Sequence, residues 1–139
     1  YGNMMLKAFN KEIDWTETGK VKVMLATSSY TPNQDTHDYK DDLTNEITGD
    51  GYTAGGATPT SEPTLTYDSG TNIATFDMPD ITWPSATITA RYAIIYYDTS
   101  VDSTSPLIAY VDFGSDQVSS SGDFTIQWNA SGLFTATLS

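Results

Sequence analysis

The stretch ATITARYAIIYYDTSVDSTSPLIAYVDF, residues 86–113, constrains the fold more than any other part of the chain. Successive side chains of a strand point to opposite faces, and here Ile88, Ala90, Tyr92, Ile94 and Tyr96 share one face, opposite Thr87, Thr89 and Arg91. Ala93 and Ile95 then make the second face apolar too. A strand that is apolar on both faces belongs between other strands, inside a core. The return segment repeats the pattern. Leu107, Ala109, Val111 and Phe113 fall on one side, Ile108, Tyr110 and Asp112 on the other, and a polar turn at residues 98–105 joins the two runs. The pair predicts a central hairpin in a β-sheet domain.

The rest of the second half supports that class. Apolar runs at residues 64–67, 72–78, 81–83, 123–128 and 133–138 alternate with turn-forming segments at 68–70, 119–122 and 129–132. Short strands at near-regular spacing with short turns predict an antiparallel β-sandwich, jelly-roll or immunoglobulin-like, without choosing between those topologies. Pro63, Pro79 and Pro84 should mark strand ends or edges, because proline has no N–H to give to a central ladder.

With 139 residues the chain is expected to form a single domain spanning 1–139. Within residues 1–18, Met5, Leu6, Phe9 and Ile13 recur at helical spacing and predict a short amphipathic N-terminal helix or arm over residues 3–13. The run KVKVMLATSSY then places Val21, Val23 and Leu25 opposite Lys20, Lys22 and Met24, the pattern of a half-buried strand. Residues 28–63 are rich in Thr, Asn, Asp, Gly and Pro, and are expected to form a long surface excursion with one helical turn at 37–43. If it lies on the surface only, removing residues 36–53 should leave the domain folded.

Charge and composition exclude several activities. A net charge of −12 repels nucleic acid and anionic lipid, so neither is an expected partner. No run reaches the roughly 18 apolar residues of a membrane span, and the first fifteen residues lack the order of a signal peptide. There is no cysteine, which removes disulfides, thiolate nucleophiles and cysteine metal sites together. His37 is the only histidine, so a Ser-His-Asp triad would have to run through it with no GxSxG elbow to present the serine, and a histidine-based metal site lacks its further ligands. Asp35, Asp38, Asp41 and Asp42 offer hard oxygen ligands, but their spacing is not that of a calcium loop and reads as a hydrated loop with carboxylates at a helix start. The glycine-rich run at 49–56 lacks the lysine of a phosphate loop. No catalytic residue, cofactor or metal site is assigned, and the chain does not read as an enzyme.

Three blocks carry a resemblance: KVKVMLATSSYTPNQDTHDYKDDLTNEITGDGYTAGGAT at 20–58, ITARYAIIYYDTS at 88–100, and SPLIAYVDFGSDQ at 105–117 with GDFTIQWNASGLF at 122–134. With YGNMMLKAFNKEIDW at the start they cover nearly the whole chain, and together they resemble a family of small virion structural proteins of tailed bacteriophages. The resemblance rests on whole blocks and includes no catalytic signature. It implies a structural protein of the virion, foremost a capsid decoration, or cement, subunit on the capsid exterior that bridges neighbouring major capsid proteins as a homodimer or homotrimer. A tail-associated subunit is the alternative within the family. A host-surface glycan-binding module, with Tyr30, Tyr39, Tyr52 and Trp83 stacking on sugar rings, is the alternative from another class. The two polar loops should make the intersubunit contacts, through Tyr30, Asp35, Tyr39, Tyr52, Asp98 and Asp102.

Overall fold

A computed structural model describes residues 1–15 and 17–137. A helix α1 (Met4–Phe9) precedes strand β1 (Val21–Ala26) and a 3-10 turn at Lys40–Asp42. Strands β2 (Thr64–Asp68), β3 (Ile73–Asp77) and β4 (Ile81–Tyr97) follow, then a second 3-10 turn at Asp102–Thr104, β5 (Leu107–Ile126) and β6 (Phe134–Thr137). Leu138, the expected end of the last strand, lies outside the described residues. The fold is mainly β: two antiparallel three-stranded sheets in a sandwich-like arrangement, ordered β1-β4-β5 and β2-β3-β6.

The two-faced pattern of residues 86–113 puts β4 at the centre of the first sheet, between β1 and β5. Its two faces feed two separate apolar clusters. Ala93, Ile95 and Tyr97 join Val21, Val23, Leu25 and Ile108 in one, whereas Ile94 and Tyr96 join Met24, Ala26, Tyr30 and Leu107 in the other. β1 is therefore buried on both faces, not half-buried as its lysines suggest; Lys22 escapes by pairing with Asp98.

Strict alternation along β4 and β5 does not hold, and bulges are the reason. Trp83 pairs with Phe124 and Ala86 with Gly122, so two residues of β4, Pro84 and Ser85, oppose one of β5. Ser85 has a positive φ of 51°. The runs 81–83 and 86–97 are thus one strand, and Pro84 sits within a central strand because the bulge asks no ladder bond of it. A second irregularity lies between Ala90↔Gln117 and Tyr92↔Asp112, where residues 113–116 oppose Arg91 alone. It switches the faces: Ile88 and Ala90 pack with Ala93 and Ile95, not with Tyr92, Ile94 and Tyr96. Arg91 clamps the site, its Nε and Nη2 donating to both carboxylate oxygens of Asp112, which also accepts the Gly114 N–H at 2.7 Å. A third shift, with Tyr96 opposite Leu107 but Ile95 opposite Ala109, turns Leu107 away from the face of Ala109. The turn expected at 119–122 is absent; those residues continue β5, with one extra residue absorbed where Ser121 takes φ 50°.

The N-terminal helix is shorter than its periodicity suggests and faces the other way. It ends after one and a half turns, with Lys11 at φ 62°. Lys7 is buried, its ammonium 3.1 Å from the centroid of the Tyr39 ring and donating to the Asp38 carbonyl at 3.0 Å, while Met5, Leu6 and Phe9 are exposed. The lysine stem packs while its charge meets a π face and a carbonyl, a combination that spacing alone does not reveal.

The excursion is part of the core, not a detachable arm. Val23 and Ala57 exchange both backbone bonds, Ile47 donates to the Leu25 carbonyl, Thr27 to that of Asn45, and Thr87 to that of Asp50. These bonds cover the outer edge of β1 and part of β4. Tyr30 and Ile47 are buried. Deleting residues 36–53 would remove Ile47 from the larger cluster and expose the β1 edge, so the expectation that the domain survives that deletion does not hold.

Candidate interaction surface

Two polar segments far apart in sequence form one surface. The tip of the excursion reaches the β4–β5 turn, where Tyr39 bridges to Pro106, the Lys40 N–H donates to the Ser105 carbonyl at 2.9 Å and the Leu107 N–H to that of Asp38 at 2.9 Å. Lys40 Nζ lies 2.8 Å from Asp102 Oδ1. The turn itself is tied down by its own side chains. Asp98 Oδ1 accepts the Ser100 N–H at 2.8 Å, and the buried Ser105 hydroxyl donates to the Val101 carbonyl at 2.9 Å and accepts from the Thr99 N–H at 3.0 Å. Local side-chain bonds of this kind fix a loop that would otherwise sample many conformations. On the excursion side, Asp42 Oδ2 accepts the N–H groups of Asp38 and Tyr39 at 2.8 and 3.1 Å.

The six residues expected to make intersubunit contacts fall into three environments. Asp35 and Asp102 are exposed. Tyr39, Tyr52 and Asp98 are half-buried and engaged within the chain: the Tyr39 hydroxyl donates to Glu12 Oε2 at 3.1 Å, and the Tyr52 hydroxyl donates to Glu46 Oε1 at 2.7 Å while accepting the Leu25 N–H at 3.1 Å. Tyr30 is only 1% exposed, its hydroxyl 2.8 Å from that of Tyr1 and 3.0 Å from His37 Nδ1. It builds the floor of the surface and does not reach a partner. Trp83 is likewise buried, against Tyr52 and Phe124.

Charge on this surface is fixed by the same bonds. Burial alone would raise the Asp98 carboxyl, but Lys22 and the Ser100 N–H outweigh it and hold the group below its ordinary 3.8. A carboxyl depressed by folding contributes stability that is complete above the ordinary value and lost as pH falls through the folded one. Asp98→Asn is therefore expected to lower stability by about 1 kcal/mol at neutral pH, a figure discounted for partial exposure. In urea titrations the two proteins should converge in strong acid; a constant gap down to pH 2 would remove the ion pair as the cause. The opposite sign applies to the tyrosines. Burial, with the Glu17 carboxylate accepting its hydroxyl, pushes Tyr97 up to about 12, and burial raises Tyr52 and Tyr96 as well.

Sequence reasoning missed Lys7, which supports this surface beneath Tyr39, and Glu46, which holds Tyr52 and Gly55, and it missed a second exposed surface where Met5, Phe9 and Leu65 line one cleft and Tyr67 shares the sheet face of Leu65. The alternation of Leu65 and Tyr67 with Thr64, Thr66 and Asp68 was a legible signal that β2 has one apolar face. Among the described residues no three acidic or histidine side chains gather as metal ligands, and no helix is long and apolar enough to cross a membrane. Comparison with protein-family models, with curated proteins and with solved structures finds no match.

Proposed function

We propose that this protein is a structural assembly subunit of a tailed-phage particle, a decoration protein that binds the outer shell and bridges neighbouring major capsid proteins as a homo-oligomer. The block resemblance supplies the family. The observation that supports the role is the composite surface of the excursion tip and the β4–β5 turn, held by bonds between segments some sixty residues apart and presenting exposed Asp35, Asp41 and Asp102. A surface ordered before binding loses little conformational entropy when it docks. Its carboxylates fit basic patches on a shell subunit, where charge complementarity sets register and association rate. On a shell with many equivalent sites, modest affinity at each contact becomes firm attachment when one oligomer touches several subunits.

Cryo-electron microscopy of intact particles tests the reading. Copies of this fold spread over the shell are the expected result, and density confined to the tail would overturn it. Reversing the exposed charges with Asp35→Lys and Asp102→Lys should reduce binding of the purified protein to stripped particles by tenfold or more, at low salt above all.

A further inference from the structure

β5 is an outer strand of the first sheet, and most of its length is protected from a further neighbour. At its start the chain takes up its own backbone: the Leu107 N–H donates to the Asp38 carbonyl at 2.9 Å, and the Tyr1 ammonium to that of Ile108 at 3.1 Å. In the middle, residues 113–116 bulge opposite Arg91 alone and Ser121 takes φ 50°. Bulges of this kind turn an edge away from pairing. Residues 122–126 have neither protection, since the bulge at Pro84–Ser85 belongs to β4. Phe124, Thr125 and Ile126 pair in register with Trp83, Thr82 and Ile81 and, among the described residues, make no backbone bond outside that ladder. Alternate residues of such a strand turn their N–H and C=O groups outward, where another strand can pair.

A cleft of about 690 Å³ lies beside this stretch. Residues 123–129 line it without a break, and no residue of β4 does. A cavity over a face of the sheet would touch both strands, so this one follows the outer side of β5. The strand curls around it: Phe113 and Phe124, far apart along β5, bring their ring centroids to 6.3 Å. Val111, Phe113, Phe124, Trp128 and Leu133 give the cleft apolar walls, and Asp123 is the one ionisable side chain among the described residues of its lining.

We infer that a partner polypeptide adds an extended, basic segment to this edge, with apolar side chains at alternate positions filling the cleft. Edge and cleft coincide, so the segment that bonds to the backbone of residues 122–126 also occupies the cavity; main-chain bonds supply affinity and the walls select the side chains. Positions opposite Phe124 and Ile126 fall on the face of the larger apolar cluster and take apolar groups, whereas those beside Asp123 and Thr125 take the basic ones. Charge decides the class of occupant. Residues 92–139 hold five aspartates and no lysine, arginine or histidine, and Asp116 and Asp123 are exposed along β5. A second copy of β5 would bring carboxylates to carboxylates, whereas lysine or arginine beside Asp123 is attracted. A small ligand would fill the cavity and leave the backbone row beside it unused. This contact is separate from the surface of the excursion tip and the β4–β5 turn, and it does not depend on the capsid reading.

The probe is a heptapeptide of alternating lysine and valine, titrated to millimolar concentration into the isotope-labelled chain while its amide spectrum is followed. Saturable shifts confined to residues 111–113 and 122–129 are expected. Peptides N-methylated at the lysines or at the valines then separate strand pairing from general charge attraction. One of the two should bind roughly tenfold more weakly or worse while the other keeps its affinity, because only one set of N–H groups faces the edge. Asp123→Asn, which keeps the oxygen that accepts the Ser85 N–H at 3.1 Å, should weaken binding about threefold with the thermal midpoint unchanged, and Asp35→Asn on the other surface should leave it as it is. Shifts spread over the whole acidic surface, equal binding by the two methylated peptides, or no shift at all would overturn the assignment. Shifts of the same amides on concentrating the chain alone, without peptide, would overturn it in favour of a second copy.

Discussion

Ile94→Asp is expected to leave no folded protein. Ile94 is fully buried in the C-terminal part of β4, paired with Met24 on one side and Tyr110 on the other, in a cluster with Ala26, Tyr30, Tyr96 and Leu107. Truncating such a side chain costs about 2–5 kcal/mol, and an unpaired carboxylate in its place adds several more. The sum approaches the entire stability of a domain, about 5–15 kcal/mol. Thr89→Asp on the same strand is the control, because Thr89 is exposed and should change the thermal midpoint by only a few degrees. Circular dichroism distinguishes the two at once. If the Ile94 variant melts with the wild type, the second apolar cluster is not a core.

Gly56→Ala is the second large effect, although it adds a single methyl group. Gly56 has φ +77°, a region that costs a residue with a Cβ about 1–2 kcal/mol by itself. The added methyl would lie 1.9 Å from the Val23 carbonyl oxygen, the acceptor that Ala57 uses to fasten the excursion to β1. Neither backbone segment can yield without breaking the Val23–Ala57 pair, so a loss of about 3–4 kcal/mol is expected, the strain and the overpacking together. Gly19→Ala isolates the first term: Gly19 has φ +73° with open space around it, and should lose only about 1 kcal/mol. Urea unfolding of the pair measures the difference. Equal losses would mean that the excursion is not pressed against β1.

The contrast between the two glycines shows where sequence stops being informative. Both read as turn residues in polar segments, and only the proximity of Val23 to Gly56 sets them apart. The same limit appears in the strands. That residues 86–97 and 107–113 belong to a core hairpin was legible, because apolar residues on both faces can be satisfied only between neighbouring strands. Which of them share a face was not legible. Bulges at Pro84–Ser85, at Arg91 and at Ile108 change the parity, and a bulge is a property of two paired strands, not of one. The serine-rich segment at 119–122 follows the same logic. Small polar residues that suit a turn also suit an absorbed bulge, and the continuing partner strand β4 selects the latter.

The candidate surfaces divide in a similar way. The polar segments at 30–56 and 98–105 were identifiable from composition, but not their junction through Lys40, Asp102 and Ser105, and not the burial of Tyr30. The apolar patch was hidden because a helical apolar stripe ordinarily faces the core, whereas here the buried position of α1 belongs to Lys7, held by Tyr39 and Asp38.

By itself, then, the sequence determined the class of the fold and the identity of its central strands, because periodicity and composition act on each segment locally. The tertiary structure alone decided the faces, the anchoring of the excursion and the placement of the exposed apolar surface. Those depend on what lies opposite each backbone, and hydrogen-bond pairing and close packing are set between segments distant in the chain.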